Sequence, residues 1–126
     1  MEEYDGDSYF NSNNNTIFWN PKRALITYTV YILSPAEILS HEADHAVEYD
    51  KNPDETKKRN RQVDSQYGNL EEKRVIEGSE QEVAKRLGKL KHDGGKTRDD
   101  HNGTGYTVNS PDSEDIEGIT VVPSTP

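Results

Sequence analysis

Hydrophobic positions are concentrated between Thr16 and Leu90, where we expect the folded body of the chain. The segment Thr16-Ile-Phe-Trp19 predicts a short strand, which the turn-forming pair Asn20-Pro21 ends. From Ala24 to Leu33, threonines alternate with β-branched and aromatic residues, which predicts a second strand. We expect the two strands to pair as a β-hairpin.

A helix is predicted to begin directly after the second strand. Ser34 is a favourable N-cap, Pro35 suits the first helical position, and Glu37 completes a capping box with Ser34. Leu33 and Ile38, on either side of the cap, can form a hydrophobic staple. The local signals for a helix start at Ser34 therefore agree with one another.

The helical period assigns a direction to each side chain of this helix. One narrow arc contains Ile38, His41, Glu42, His45 and Tyr49. Beside it lie Leu39, Ala43, Ala46 and Val47, which we expect to pack into the core. The water-facing side is expected to hold Glu37, Ser40, Asp44 and Glu48. The two histidines are therefore predicted to face the protein interior.

Two further short helices are predicted downstream, Leu70–Glu77 and Glu80–Leu87. Asn69 is a candidate N-cap for the first, Gly78 separates the two, and Gly88 ends the second. The segments between and around these elements are polar. We expect a solvated loop or frayed helix end over 50–66, a Gly/Asp/Asn-rich loop over 92–105, and short strands at 106–108 and 119–122. The predicted organisation is a flexible lead-in (1–15), one domain (16–108) and an acidic tail (109–126).

Composition limits the possible functions. Of the 126 residues, 29% are hydrophobic and 31% charged, so part of the chain is expected to lie outside the core. A formal charge of −9 argues against nucleic acid and anionic membranes as partners. The absence of cysteine excludes disulfides and thiolate zinc sites. No apolar run reaches membrane-spanning length, and the acidic start is unlike a signal peptide, so export would need a signal elsewhere, as in a longer parent chain.

The inward face of the first helix carries the pattern H-E-x-x-H. His41 and His45 are four residues apart, so their imidazoles lie on one face and can share one tetrahedral zinc ion. Glu42 between them can then act on a water molecule at the metal as a general base. The pattern predicts a zinc centre.

A catalytic zinc centre needs a third protein ligand. Glu72 falls between Val75 and Ile76 on the apolar stripe of the next predicted helix, where an unpaired carboxylate is costly unless it binds a metal. We therefore prefer Glu72, with Glu71 as the alternative. A plainer interpretation is that both acids complement the helix dipole. The other downstream candidates are Glu77, Glu80, Glu82, His92 and His101.

The order His41-Glu42-Ala-Asp-His45 and then Glu71-Glu72-Lys-Arg-Val75 resembles the gluzincin metallopeptidases. More narrowly, it resembles the small effector-type zinc endopeptidases of secreted bacterial effectors and polymorphic (Rhs-type) toxins. A Trp-Asn-Pro turn, Ser-Pro-x-Glu before the zinc helix and a histidine loop before a Gly-x-Tyr strand extend the likeness from Ile17 to Val108.

The resemblance implies a small α+β zincin-like (minigluzincin) domain, with a β-hairpin packed on the active-site helix, further short helices and a flexible acidic tail. It implies a zinc-dependent metalloendopeptidase that hydrolyses protein substrates as the toxin or effector domain of a larger secreted bacterial protein, with a cognate inhibitor or immunity protein as a further partner. Zn²⁺ would be bound by His41, His45 and Glu72, with Glu42 as the base. His101 is the first candidate for stabilising the oxyanion, with Tyr106 and Arg98 behind it.

Several points stay open. Either predicted strand of the hairpin could offer a free edge to an extended substrate. Asp44 departs from the small or apolar residue usual at its position, and its charge is expected to raise the histidine pKa or to hold a ligand in place. The rival interpretations are a zinc-stabilised binding module without catalysis and a metal-free acidic domain.

Overall fold

The helix predicted after Ser34 is the longest element of the computed structural model, which describes residues 1–3, 5–29, 31–90 and 95–114. These residues form a small mixed α+β domain, as predicted. The helical elements are α1 (Pro35–Lys51), α2 (Pro53–Arg61), α3 (Leu70–Val75), a π-helical turn (Ile76–Glu80) and α4 (Gln81–Arg86). The strands are β1 (Glu2–Glu3), β2 (Tyr9–Asn11), β3 (Thr16–Trp19), β4 (Arg23–Thr27), β5 (Ile32–Leu33), β6 (Val63–Asp64), β7 (Gly68–Asn69) and β8 (Gly103–Thr107).

The strands form three small sheets, with the orders β1-β3-β2, β5-β4-β8 and β6-β7. In the first, β1 is parallel to β3 and β2 is antiparallel to it, with Phe10 opposite Ile17. In the second, β4 is antiparallel to both neighbours, with Ala24 opposite Tyr106. The predicted strand at 106–108 thus exists, displaced towards Gly103.

The predicted hairpin of Thr16–Trp19 with Ala24–Leu33 is wrong. The two segments belong to different sheets, because β3 is already paired on both sides and so is β4. The second segment is also not one strand, since it folds back at Thr27, whose amide donates to the Tyr31 carbonyl at 2.9 Å. Instead, β3 pairs with β1 and with the preceding strand β2, and β4 pairs with the following strand β5 and with the distant β8. Alternation of residue types identifies a strand but not its partners.

The predicted lead-in (1–15) supplies both partners of β3, and Phe10 on β2 packs edge-on against Tyr49 of α1. At the other end, Pro111 accepts a hydrogen bond from the amide of Ala36, which ties the start of the predicted tail to α1. His92 and the predicted strand at 119–122 lie outside the described residues. Among the described residues, no helix is long and apolar enough to cross a lipid bilayer.

The start of α1 is as predicted. Ser34 accepts a hydrogen bond from the Glu37 amide, and the Glu37 side chain reaches back to the Ser34 amide, so the capping box is complete. His41 and His45 are buried, as the helical period predicts. Two assignments on the same helix are wrong: Glu37 is buried, and Val47 is 53% exposed. Glu37 can be buried because Tyr31 donates to it at 2.6 Å and other polar groups surround it.

The segment predicted as a solvated loop or frayed helix end contains the helix α2. Pro53 occupies its first turn together with Asp54 and Glu55, and basic residues fill its last turn, which suits the helix dipole. Its residue Arg59 is only partly exposed and donates to Glu71 at 2.8 Å. Tertiary contacts thus order a segment that its composition alone predicted to be a solvent-exposed loop.

Downstream, Asn69 caps α3 as predicted, accepting from the Glu72 amide at 2.8 Å. The predicted break at Gly78 is not a break, because the chain passes from α3 through the π-helical turn into α4 without leaving helical conformation. Gly88 follows the end of α4 with φ of +68°, a left-handed conformation that favours glycine at a helix terminus. Ala84 of α4 packs in the core with Tyr31 and Leu33.

Candidate metal centre

The imidazoles of His41 and His45 face each other across one turn of α1. Both side chains are buried, and their Nε2 atoms are 3.1 Å apart. The spacing follows from positions i and i+4 on a helix, and the inward direction follows from the apolar residues beside them. The H-E-x-x-H segment therefore brings two potential metal-binding nitrogens to one point.

The carboxylate of Glu72 lies on the same side of both rings. Its Oε1 is 2.7 Å from Nε2 of His45, and its Oε2 is 3.1 Å from Nε2 of His41. The side chain starts from the first turn of α3, which the Asn69 cap holds in place. Of the two acids considered from the sequence, Glu72 is the one that shares the Nε2 side with both histidines.

Glu71 lies on the opposite side of His45. Its Oε2 is 2.9 Å from Nδ1 of that ring, and the same carboxylate accepts from Arg59 at 2.8 Å and from Arg74 at 2.8 and 3.0 Å. Consecutive residues of α3 thus contact the two nitrogens of one imidazole. From the sequence, Glu71 is expected to be either a metal ligand or an acid that complements the helix dipole. The two arginines that contact it cannot be recognised from local sequence patterns.

Glu80 occupies the corresponding position for His41. Its Oε1 is 2.9 Å from Nδ1 of that ring, and Arg98 and Thr97 donate to the carboxylate from the other side. Sequence reasoning named Glu80 only among the candidate ligands and Arg98 only as an oxyanion donor. Its place here depends on the π-helical turn, which the sequence analysis did not predict.

Carboxylate oxygens lie at all four ring nitrogens, and an ionised carboxylate can only accept a hydrogen bond. Nδ1 of His41 therefore donates to Glu80 and Nδ1 of His45 donates to Glu71, and in a protonated ring Nε2 also donates to Glu72. In the neutral rings, both Nε2 atoms are then unprotonated, and their lone pairs face each other and the Glu72 carboxylate. Such a group of acceptors is stable only with a proton or a cation among them.

The donor set fits zinc. Tetrahedral zinc with Zn–N bonds of about 2.0–2.1 Å holds two nitrogens about 3.3 Å apart, close to the 3.1 Å between the Nε2 atoms. Two imidazoles and one carboxylate are a common catalytic set, and carboxylates on the remote ring nitrogens are the usual outer support of zinc-binding histidines. His41, His45 and Glu72 could therefore hold the ion.

The field at this point is strongly negative. Burial lowers the histidine pKa values, but the carboxylates outweigh it: Glu72 and Glu80 raise the pKa of His41 to about 9, and Glu71 and Glu72 raise that of His45 to about 10. Burial raises the pKa of each carboxyl group, but hydrogen bonds from histidine and arginine lower it, to about 2 for Glu71 and Glu80 and well below the usual range for Glu72. The same field that holds protons on the rings attracts a divalent cation.

Glu42 borders two cavities beside the histidines. One, of about 200 Å³, also contacts His41 and His101, and the other, of about 260 Å³, contacts His45 and Glu72. Burial raises the pKa of Glu42, whereas the histidines and the backbone amide of Phe10 act in the opposite direction. A carboxyl group with a raised pKa at the border of a cleft has the properties of a proton acceptor.

His101 joins the cluster from the loop before β8. Its Nε2 is 2.9 Å from Oε2 of Glu72, and its side chain is half exposed. His41, Glu72 and His101 can each offer one ligand atom within 4.8 Å of the others. The other two oxyanion candidates have different partners, since the Tyr106 hydroxyl donates to the Glu114 carbonyl at 2.6 Å and Arg98 is committed to Glu80.

Asp44 forms an ion pair with Arg74 at 2.9 Å and accepts from the Ser79 hydroxyl. Arg74 also contacts Glu71, so Asp44 reaches His45 through two intermediates rather than directly. Asp44 thus holds Arg74 in place, and Arg74 in turn holds Glu71.

Of the two strands predicted to offer an edge, Thr16–Trp19 (β3) is central in its sheet, so that alternative is wrong. The predicted strand Ala24–Leu33 ends in the edge strand β5, whose Leu33 lines the smaller cavity together with His41 and Glu42. The edge strand β2 lines the larger cavity through Tyr9 and Phe10, together with His45 and Glu72.

No protein-family model, curated protein or solved structure matches the chain.

Proposed function

We propose that this chain is a zinc-dependent metalloendopeptidase domain of the small zincin-like type. The observation that carries the proposal is the meeting of two imidazole Nε2 atoms and one carboxylate, with each imidazole contacted from behind by a second carboxylate. His41, His45 and Glu72 would hold the zinc ion. Glu42, next to this group on α1, would be the catalytic base.

When bound, zinc would polarise a peptide carbonyl and acidify a water molecule. Glu42 takes the proton of the attacking water at its carboxylate and passes it to the leaving nitrogen. Its raised pKa favours both transfers, because the group must accept a proton and then release it near neutral pH. His101 is close enough to the cluster to donate a hydrogen bond to the developing oxyanion after leaving Glu72.

The outer edge of β2 would pair with an extended substrate. The strand β2 is an edge strand of its sheet, and it lies along the cavity that Glu42, His45 and Glu72 also line. Backbone pairing would hold the scissile peptide near Glu42 without a deep pocket. A protein or peptide is therefore the expected substrate class.

A second candidate function is a zinc-stabilised binding module without catalysis. Its support is His101, whose Nε2 lies within ligating distance of the same cluster and could fill the position that a peptidase keeps for water. In that case Glu42 would have no chemical role. The setting in a secreted bacterial effector or toxin, with a cognate inhibitor, stays a prediction of the resemblance.

One experiment separates these functions. Zinc content and cleavage of casein and of a degenerate peptide library are measured for the wild type, Glu42→Gln and Glu72→Ala. The proposal expects Glu42→Gln to keep zinc and lose cleavage, and Glu72→Ala to lose or weaken zinc. Cleavage retained in Glu42→Gln would refute the role of Glu42, and a zinc-loaded wild type that cleaves no probe would favour the binding module.

A further inference from the structure

The helix that carries Glu72 contains one π-helical turn, Ile76–Glu80, between α3 and α4. Such turns are rare, and they frequently occur at functional sites. Gly78 lies in this turn with no non-local atom within 4 Å of the place where a Cβ would be, so packing does not require a glycine there. What the turn does change is the direction of the side chains that follow it.

The turn changes the direction of Glu80 relative to Glu72. In a regular α-helix, eight residues advance by about 800°, which would leave the two side chains about 80° apart. A π-helical turn adds one residue without adding a step of rotation, so the advance is about 700° and the separation about 20°. The two carboxylates therefore project towards α1 from the same side of the helix.

This alignment lets one helix hold both nitrogens of His41. Glu72 is 3.1 Å from Nε2 and Glu80 is 2.9 Å from Nδ1, so the ring lies between two carboxylates two turns apart. In a regular helix Glu80 would be rotated by a further step of about 100°, and its carboxylate would point away from the ring. The π-helical turn thus accounts for a contact that a regular helix would not make.

Glu80 is itself rigidly held. It is 3% exposed, and it accepts from Arg98 at 2.7 and 3.0 Å and from the Thr97 hydroxyl at 2.7 Å. The Thr97 carbonyl in turn accepts from the hydroxyls of Thr27 and Thr29, at 2.9 and 2.7 Å. The carboxylate is therefore tied to the loop before β8 and, through that loop, to the end of β4.

We propose that Glu80 is a positioning residue that the π-helical turn aligns with Glu72, so that His41 presents Nε2 to zinc. The inference rests on the zinc site of the proposed function but does not depend on catalysis. The simpler role for Glu80 is a buried ion pair with Arg98 that only stabilises the fold. The two roles differ in what they predict for zinc affinity and for the hydrogen on the His41 ring.

The test measures zinc affinity by chelator competition for the wild type, Glu80→Gln, Glu80→Ala and the control Glu77→Gln. Glu77 lies in the same turn but is exposed. Loss of an outer partner of a zinc-binding histidine typically weakens binding about 10- to 100-fold, and we expect this for Glu80→Ala, with a smaller loss for Glu80→Gln. Glu77→Gln should bind as the wild type does.

Because Glu80→Ala leaves Arg98 buried without a counter-charge, a charge-balanced variant is included. Glu80→Gln combined with Arg98→Gln removes both charges, and its folding is checked by circular dichroism. Nitrogen-15 NMR of the zinc-loaded protein then reports which nitrogen of His41 carries hydrogen. We expect hydrogen on Nδ1 in the wild type, with weaker zinc binding and an altered Nδ1 signal in the variants.

Unchanged zinc affinity and an unchanged His41 signal in both Glu80→Gln and the double variant would overturn the positioning role and leave Glu80 as a structural ion pair. If the double variant fails to fold, Glu80→Gln alone decides by the same two measurements. A wild type that binds no zinc would overturn both proposals. A wild type that binds zinc without cleaving peptides would remove only the proposed catalysis.

Discussion

The metal-free protein should lose stability as pH rises, which is unusual for an acidic chain. Without zinc, protons are the only cations available to the Nε2 atoms of His41 and His45. The pKa values of these residues are about 9 and about 10 in the folded protein, against 6.5 for an ordinary histidine. A group whose folded pKa is raised stabilises the fold fully below the unfolded pKa, so this stabilisation is present below pH 6.5 and disappears as pH rises through about 9 to 10.

One pKa unit corresponds to about 1.4 kcal/mol, so the shift of His41 alone is worth about 3 kcal/mol. The contributions of the two rings do not add, because their Nε2 atoms are 3.1 Å apart and a second positive charge opposes the first. By the same conversion the shift of His45 alone corresponds to about 5 kcal/mol, so we expect a total loss of about 5 kcal/mol between pH 6.5 and 10. That is a large fraction of the stability of a small domain.

Urea denaturation in the presence of a chelator, at intervals from pH 6 to 10, measures this loss. The matched control is the double variant His41→Gln, His45→Gln, in which the alkaline slope should be reduced because neither of the two buried rings is left to titrate. Zinc binding should release one to two protons at pH 7.5, measurable by calorimetry in buffers of different ionisation enthalpy. A wild-type slope equal to that of the double variant, or zinc binding without proton release, would refute the reasoning.

Other substitutions test how the site is supported. Ser34→Ala removes the α1 cap and should lower the free energy of unfolding by about 1 kcal/mol in urea titrations, with no loss if the cap is unimportant. Gly88→Ala places a side chain at φ of +68° and should cost about 1 kcal/mol by the same measurement; an unchanged midpoint would contradict the strain argument. Arg59→Ala removes one partner of buried Glu71 and should weaken zinc binding severalfold, whereas Lys58→Ala, exposed on the same helix, should not.

The features of the site that could be predicted from the sequence depend on interactions between residues that are close in the sequence. The cap at Ser34, the period of α1 and the four-residue spacing of His41 and His45 all act within a few turns of one helix, so no tertiary information is needed. Asn69 likewise identifies the start of α3, and with it the position of Glu72. Each of these predictions rests on contacts between neighbours in the sequence.

Several of the errors concern which segments contact each other, and some of those partners are remote in the sequence. The alternation in β3 and β4 identifies strands but not which strand pairs with which, and the strands beside β3 come from a segment that looked like a loose lead-in. The π-helical turn is a further case, since Gly78 next to a serine favours a helix end. The chain continues there because Glu80 gains buried partners in His41 and Arg98 that no local rule includes.

The low hydrophobicity of the chain reflects the many polar and charged side chains in its interior. Among the described residues, ten polar or charged side chains are buried, against nine apolar ones including Pro35. Buried charge is tolerated only when it is paired, and here each histidine contacts a carboxylate that an arginine also holds: Glu80 with Arg98, and Glu71 with Arg59. A highly charged composition can therefore indicate solvent-exposed segments, but it can also belong to a domain whose interior contains an ionic cluster. In such a domain, removing one arginine should disturb the proposed zinc site more than removing an apolar side chain of similar burial.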